Sequence, residues 1–296
     1  MTVDEFIMKW TAENPLEKAA KDTSEGALCG EFLIGKDKKI RFSKGNLQFN
    51  AFKGTHKTAD DKLLQGTWQF AEHQWDVIGN GNGKISEKYD GFIDLFGWGT
   101  SGWASGAKAY QPWSTSDSYD DYYPGGHRDN SLINAYTKAD WGKYNAISNG
   151  GDIPGKWRTL TTEEWRYLFQ HNKWTMGKIE GKTCFLFIPE KVSGLVELSC
   201  AKSESCTFTE SEYEKNKFTA EQFKKYEEQG VVALPCGGYR RGASLNDVGS
   251  LGYYWSSSAY DDFNAYDFYF HSEGVNSSDY SYRRSGYSVR LVQDLK

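Results

Sequence analysis

From Leu251 to Val292 the chain reads LGYYWSSSAYDDFNAYDFYFHSEGVNSSDYSYRRSGYSVRLV. Apolar text brackets the stretch, YYW ahead and YSVRLV behind, and Ser, Tyr, Asp, Asn, His and Arg fill the middle. Ala265 to His271 alternates with period two, which predicts a strand with Tyr266, Phe268 and Phe270 on a packed face and Asp267, Tyr269 and His271 on an outward one. Exchanging the outward set is then expected to leave stability nearly unchanged. Tyrosine offers a large contact area with few rotors, and small polar residues adapt their hydrogen bonds, so this composition is that of a paratope-like surface. A solvated, Tyr-rich edge hairpin has a similar composition. What separates the two is an omission: from Tyr253 to Val292 there is no Lys, Gln or Met, although Lys is frequent through the rest of the chain.

That depletion, within the frame YYWSSSA, AYDFYF and RRSGYSVRLV, resembles the variable proteins of diversity-generating retroelements, whose C-terminal cassette is rewritten by adenine-directed mutagenesis through a reverse transcriptase. In that family the diversified codons are largely AAC or AAT. Randomising both adenines reaches Asn, Ser, Tyr, Asp, His, Phe, Arg and Gly among others, but never Lys, Glu, Gln, Met or Trp. The resemblance implies a non-enzymatic binding protein with no cofactor. Its variable ligand-binding region, about residues 253–292, would be lined by Tyr260, Asp261, Asp262, Phe263, Asn264, Asp267, Tyr269, His271, Asn276, Ser277, Asp279, Tyr280, Ser281, Tyr282 and Arg284. Trp255, Tyr266, Phe268, Phe270, Val289 and Leu291 would form the frame. Glu273 and Trp255 fall outside the alphabet and are expected to be fixed. The implied partner is a protein or glycan ligand on a cell surface, the gene-level partner is a reverse transcriptase, and display would be on a phage particle or a cell surface. A fixed-specificity carbohydrate-binding or adhesin domain on the same scaffold is the alternative.

A chain of 296 residues can bury a sizeable core without metal or disulfide staples. A net charge of −5 leaves no basic footprint for nucleic acid and no polybasic signal for membranes. The opening MTVDEFIMKWTAENPLEKAAKD has acidic residues and no apolar run of the length that export or membrane insertion needs, so neither is expected of it. The five cysteines contain no C-x-x-C, which argues against a zinc ribbon or redox pair; Cys200 and Cys206 stay open as a bridge, since spacing alone does not decide one.

Residues 1–28 read as a helical arm, with Thr2 and Glu5 in a capping-box pattern and Asn14-Pro15 before LEKAAKD. The remainder, 29–296, reads as one domain. Short strands punctuated by Gly follow, in EFLIG, KIRFS, GNLQFNA and TWQFAEHQWDVIG. Between Gly97 and Trp157 no periodic element emerges, and the many Trp and Tyr predict packed loops. Two helices carry the same start signal: Thr161 with Glu164, stapled by Leu160 and Trp165, and Thr219 with Gln222, stapled by Phe218 and Phe223 and closed by Gly230. Strands CFLFIP and VVALPCGGY flank the second. Runs of strands with two internal helices predict an α+β fold with antiparallel sheets.

The motifs FSKGNLQF, FAEHQWDVIG, IDLFGWGTSG, WRTLTTEEWRYLF, FTAEQF and GYYWSSS with GYSVRLV are similar to those of the enlarged C-type-lectin-type fold shared with formylglycine-generating enzymes, in its gut-bacterial and phage form. This likeness covers roughly residues 30–296 and implies that fold, two main helices and long packed loops. It does not imply sugar binding, because the Glu-Pro-Asn and Gln-Pro-Asp tripeptides of calcium-dependent lectins are missing. Oxidase chemistry would need a cysteine pair late in the chain, where Cys236 stands alone after Cys206 and is expected to be an inert core thiol. The loop DVIGNGNGKISEKYDG holds Asn80, Asn82 and Glu87 out of EF-hand register, so a turn-rich Asx loop and no metal is the expectation. The histidines His56, His73, His127, His171 and His271 have no metal spacing; His73 reads as a structural hydrogen-bonder beside Glu72 and Asp76, and the cluster Tyr119–Tyr123 most simply as a solvated loop, with a place at the rim of the binding face as the alternative.

Overall fold

The computed structural model describes residues 25–106, 111–196, 205–207, 209 and 214–295. Residues 1–24 of the expected arm and Cys200 lie outside them, and residues 25–28 form a turn that bridges Ala27 to Ser43. In chain order the elements are β1 (Phe32–Gly35), β2 (Lys38–Phe42), β3 (Leu47–Lys57), β4 (Leu63–Phe70), α1 (Trp141–Tyr144), α2 (Thr162–His171), β5 (Lys173–Ile179), β6 (Lys182–Ile188), β7 (Ser205–Thr207), β8 (Lys217–Phe218), α3 (Ala220–Glu227), β9 (Val232–Pro235), β10 (Tyr239–Arg241), β11 (Ser244–Asn246), β12 (Gly252–Ala259), β13 (Asn264–His271), β14 (Gly274–Tyr282) and β15 (Val292–Asp294). The class is α+β, and the sheets are antiparallel except where β8 joins β5.

Two four-stranded sheets carry most of the core, in the orders β8-β5-β6-β9 and β12-β13-β14-β7. The last strand, β15, returns to β2 with Val292 opposite Phe42, so the two ends of the domain close on one sheet. The expected strand after Thr67 stops at Phe70, because Gln74 turns inward as a junction. It donates to the Val231 carbonyl at 3.0 Å and accepts from the Ala233 N–H at 2.7 Å and the buried Arg290 guanidinium at 3.0 Å.

Both helices start as read. Thr161 accepts from the Glu164 N–H at 3.2 Å while the Glu164 carboxylate accepts from the Thr161 N–H at 2.9 Å, which satisfies two of the first-turn donors reciprocally. Thr219 and Gln222 repeat the arrangement at 3.2 and 2.9 Å. Arg158 then ties the start of α2 to the end of the chain, with one nitrogen 2.6 Å from Glu164 and another 2.6 Å from Asp294. Gly230, at φ +90°, ends the turn after α3 and lets its backbone pass against Gly30, where a side chain would meet the Gly230 carbonyl.

The loops between Gly97 and Trp157 are packed, with Trp98, Tyr122, Trp141, Tyr144 and Trp157 all buried. Asp140 caps α1 by accepting from the Gly142 and Lys143 N–H groups at 2.9 and 3.2 Å. In the expected Asx loop Asn82 is committed to Asp94, donating at 2.7 Å and accepting from the Asp94 N–H at 2.9 Å. Cys236 is buried, and burial, with Cys184 nearby, pushes its thiol well above the usual range; burial also pushes Cys184 up to about 12. The two thiols are free but pack in different clusters, one with Phe268 and the other with Phe223. Cys206 is disulfide-bonded.

Candidate ligand-binding face

The sheet β12-β13-β14 is covered on one face by α2 and β6. Phe268 stacks on Trp165 with ring centres 4.9 Å apart and meets Phe185 edge-on at 5.1 Å, and Phe270 lies 5.4 Å from Phe185. Trp255, Phe268, Phe270, Val289 and Leu291 are fully buried. Tyr266 departs from the frame expected of it: it shares the Phe268 face but is half-buried, edge-on to Tyr260 at 5.0 Å.

The three serines after Trp255 explain why this strand is polar yet internal. The carbonyl of Ser256 accepts from the Trp98 indole at 2.8 Å, that of Ser257 from the Leu132 N–H at 2.8 Å, and the Ser258 hydroxyl from the Thr162 N–H at 3.1 Å. The strand is therefore a clip between the long loops and the start of α2, and its register with β13 slips between Trp255 and Ala259.

At the far end of the sheet the loop Tyr260–Asn264 and the end of β14 come together at the surface. Tyr260, Phe263, Tyr280 and Tyr282 are each at least 40% exposed. Tyr260 and Tyr280 stack at 4.0 Å, and Tyr119 meets Phe263 at 4.8 Å and Tyr282 at 5.5 Å, so the loop around Tyr119 does rim this patch. Arg284 lies 4.2 Å over the Tyr119 ring and donates to the Asp117 carbonyl at 2.8 Å. Asp262 pairs with Arg128. Asp261 shapes the loop: one carboxylate oxygen accepts from the Phe263 and Asn264 N–H groups, each at 2.8 Å. Burial opposes its charge, but these donors hold its carboxyl below the ordinary value.

On the second face of the sheet Tyr269, His271, Asn276, Asp279 and Ser281 are half-buried. Tyr253 stacks on Tyr269 at 4.7 Å and on Tyr287 at 4.4 Å, and Trp255 continues the stack beyond Tyr287 at 4.4 Å. Tyr239 of the β10-β11 hairpin stands edge-on to Tyr253 at 5.7 Å. Between them opens a cleft of about 370 Å³ lined by Tyr239, Arg241, Tyr253, Tyr280, Tyr282 and Tyr287, with Asn264, Ser281 and Ser285.

Two expected site residues are not at the surface. Ser277 is fully buried because a bulge opposite Phe268, between the pairs Asp267–Asp279 and Tyr269–Asn276, turns it inward. Asp267 is 1% exposed, flanked by Trp255 and Asp279 as its cross-strand neighbours, and so is not part of an outward face. Neither of its carboxylate oxygens completes a hydrogen bond. Burial raises its pKa well above the ordinary 3.8, Asp279 raises it further, and the Ser281 hydroxyl alone opposes. The alternation was read correctly; what it could not show is that this part of the second face lies under Tyr287 and Trp255.

The sign of the resulting pH dependence is fixed. Asp267 keeps its proton in the fold at pH values where the unfolded chain has lost it, so its contribution to stability is fully present below 3.8 and lost as pH rises through the raised folded value. Asp267→Asn, which removes the ionisable group while keeping its shape, is expected to be more stable than the native chain at neutral pH by about 1–3 kcal/mol, because the amide has no charge to give up on burial beside Asp279. That advantage should shrink as the pH is lowered toward 4. Urea melts of both proteins across this range check it; a variant that is less stable at pH 7 counts against it.

A family described as a domain of unknown function (DUF8237) matches residues 165–292, from within α2 to the start of β15, which includes the sheet β12-β13-β14 and the β10-β11 hairpin but not the rim residues Asp117, Tyr119 and Arg128. No curated protein and no solved structure matches the chain. Among the described residues no group of three or more His, Cys, Asp or Glu is placed to hold a metal ion, and no helix is long and apolar enough to cross a membrane.

Proposed function

We propose that this chain is a non-enzymatic binding protein, the variable protein of a diversity-generating retroelement, built on an enlarged C-type-lectin-type fold and attaching to a protein or glycan ligand on a cell surface. One observation carries the reading. Apart from the buried Asp267 and Ser277, the residues expected to vary gather at one end of a single sheet and on its second face, whereas the frame residues Trp255, Phe268, Phe270, Val289 and Leu291 are fully buried. Such a division lets contact residues change while the core does not. For the fold, support comes from the return of β15 to β2, the two capped helices and the long packed loops. Recognition would proceed by shape and polar complementarity, with tyrosine rings as rigid anchors.

Sequencing the gene and its flanks from many isolates tests this. The expected result is a reverse transcriptase nearby and a template repeat with adenines at the codons for Tyr260–Asn264, Tyr269, His271 and Asp279–Tyr282, with variation confined to them. Invariant codons and no template repeat would leave the alternative, a fixed-specificity adhesin.

A further inference from the structure

We infer that the tyrosine-lined cleft takes a cationic group of the ligand, an arginine-type guanidinium, with the Asp267 and Asp279 pair as its counter-charge. This deepens the reading of the face as a ligand-binding surface and rests on it.

Three observations converge. The cleft is lined by Tyr239, Tyr253 and Tyr287, whose rings contact one another, and by Tyr280 and Tyr282 of β14, whose rings reach the exposed patch; aromatic faces attract cations more strongly as water is excluded. Its rim already shows the contact in miniature: the Arg241 guanidinium lies 5.7 Å over the Tyr239 ring. Asp267 and Asp279, which both act on the Tyr253 hydroxyl, stand directly opposite each other on adjacent strands, an arrangement that is unfavourable for two like charges unless something neutralises them.

Within that pair Asp267 is the uncommitted member. Its carboxylate is buried with only the Ser281 hydroxyl nearby and no hydrogen bond of full geometry, whereas Asp279 accepts from the Asn276 amide at 3.3 Å. Native folds rarely leave such a group without partners, since burying it unpaired costs free energy. By strand parity Asp267 shares its sheet face with Tyr253 and Ser281, both of which line the cleft. A planar guanidinium presents a fork of donors matched to carboxylate oxygens, and its flat faces stack on rings.

Occupancy is linked to a proton. Burial favours the protonated form of Asp267; an arriving cation favours its carboxylate, and the proton leaves to solvent. The other titratable groups facing the pair are Tyr253 from β12, Tyr269 from β13 and Tyr287 after β14; Arg241 from β10 lines the cleft and Asp247 acts on Tyr269. Of these the tyrosines stay neutral through the acid range, their hydroxyls raised by burial.

The experiment titrates the intact protein, with its tyrosine rings isotopically labelled, with N-acetylarginine amide and with N-acetylcitrulline amide, which has nearly the same shape and no charge. The arginine probe is expected to shift the signals of Tyr253 and Tyr287, to bind more tightly as the pH rises, and to bind roughly tenfold or more tightly than citrulline. Asp267→Asn, a variant expected to fold at least as well as the native chain, and Asp279→Asn should each weaken the arginine probe toward the citrulline value, and the first should remove the pH dependence. Equal binding of the two probes, binding indifferent to both substitutions, or no shift of these tyrosines up to the solubility limit overturns the inference. Equal binding removes the charge preference and leaves the ligand-binding reading standing, which the gene locus tests on its own.

Discussion

Replacing Phe268 with alanine is expected to cost about 3–5 kcal/mol, because the transfer and cavity terms add when a fully enclosed ring is removed. The ring has no exposed surface and is held by Trp165 at 4.9 Å, Phe185 at 5.1 Å, Phe270 at 5.8 Å and Phe187 at 5.9 Å, side chains from α2, β6 and its own strand. These neighbours cannot all close on the void, since each is fixed by rings on its other side: Phe187 packs against Phe42 and Phe32, and Phe185 against Trp174. On the second face the same strand should respond differently. His271→Asn, at a half-buried position near the β13–β14 turn, is expected to change stability by no more than about 0.5 kcal/mol. Tyr269→Ser should cost somewhat more, about 0.5–1.5 kcal/mol, because it forfeits the stack on Tyr253. Urea unfolding of the three variants decides the matter. A Phe268→Ala protein as stable as His271→Asn would mean that the sheet does not pack on α2.

This contrast also marks how far the residues alone could be read. Local signals carried well: Thr161 with Glu164 and Thr219 with Gln222 are contiguous in sequence, so their caps are legible without tertiary information. Period two placed Phe268 and Phe270 correctly because one face of β13 is covered along that length by α2 and β6. It failed at Asp267 because the second face is covered there as well, by Trp255 and by Tyr287, which lies 20 residues away in the chain. Ser277 was expected at the face from its residue type alone, and a bulge that no residue in VNSSDY announces turns it inward. Tyr239 and Arg241 were missed as cleft residues for a topological reason: the Gly-Gly before Tyr239 signals a turn, but only the folded chain brings the β10-β11 hairpin beside Tyr253 and Tyr287. Tyr253 itself was within reach, being directly opposite Tyr269 in the β12-β13 pair.

Arg283→Ala is expected to loosen the exposed loop Tyr260–Asn264 and to lower stability by about 2–4 kcal/mol, the cost of leaving several buried carbonyls without a charged donor. Two adjacent arginines here have opposite fates. Arg284 reaches outward over Tyr119, while Arg283 is fully buried and its guanidinium lies 4.7 Å over Trp98 and 5.4 Å over Tyr123. From there it donates to the carbonyls of Asn264 at 3.1 Å, Asp261 at 2.8 Å and Arg128 at 2.5 Å, and its own N–H donates to the Phe263 carbonyl at 3.0 Å. Burial without a directly paired carboxylate lowers its pKa to about 10, still far enough above neutrality to keep the charge. One side chain thus pins the loop to the end of β14 and to the Arg128 turn, through backbone acceptors that every residue type possesses. The side chains at 261–264 can therefore vary while the loop path stays the same. Lysine should not rescue the variant, because a single ammonium group cannot reach three separated carbonyls or stack flat on an indole. Hydrogen exchange should show faster exchange at Phe263, Asn264 and Arg283 in Arg283→Ala and Arg283→Lys, with the amides of β5 and β6 unchanged. Unaltered protection of the loop amides in both variants would mean that Asp261 and the Arg128–Asp262 pair hold the loop on their own.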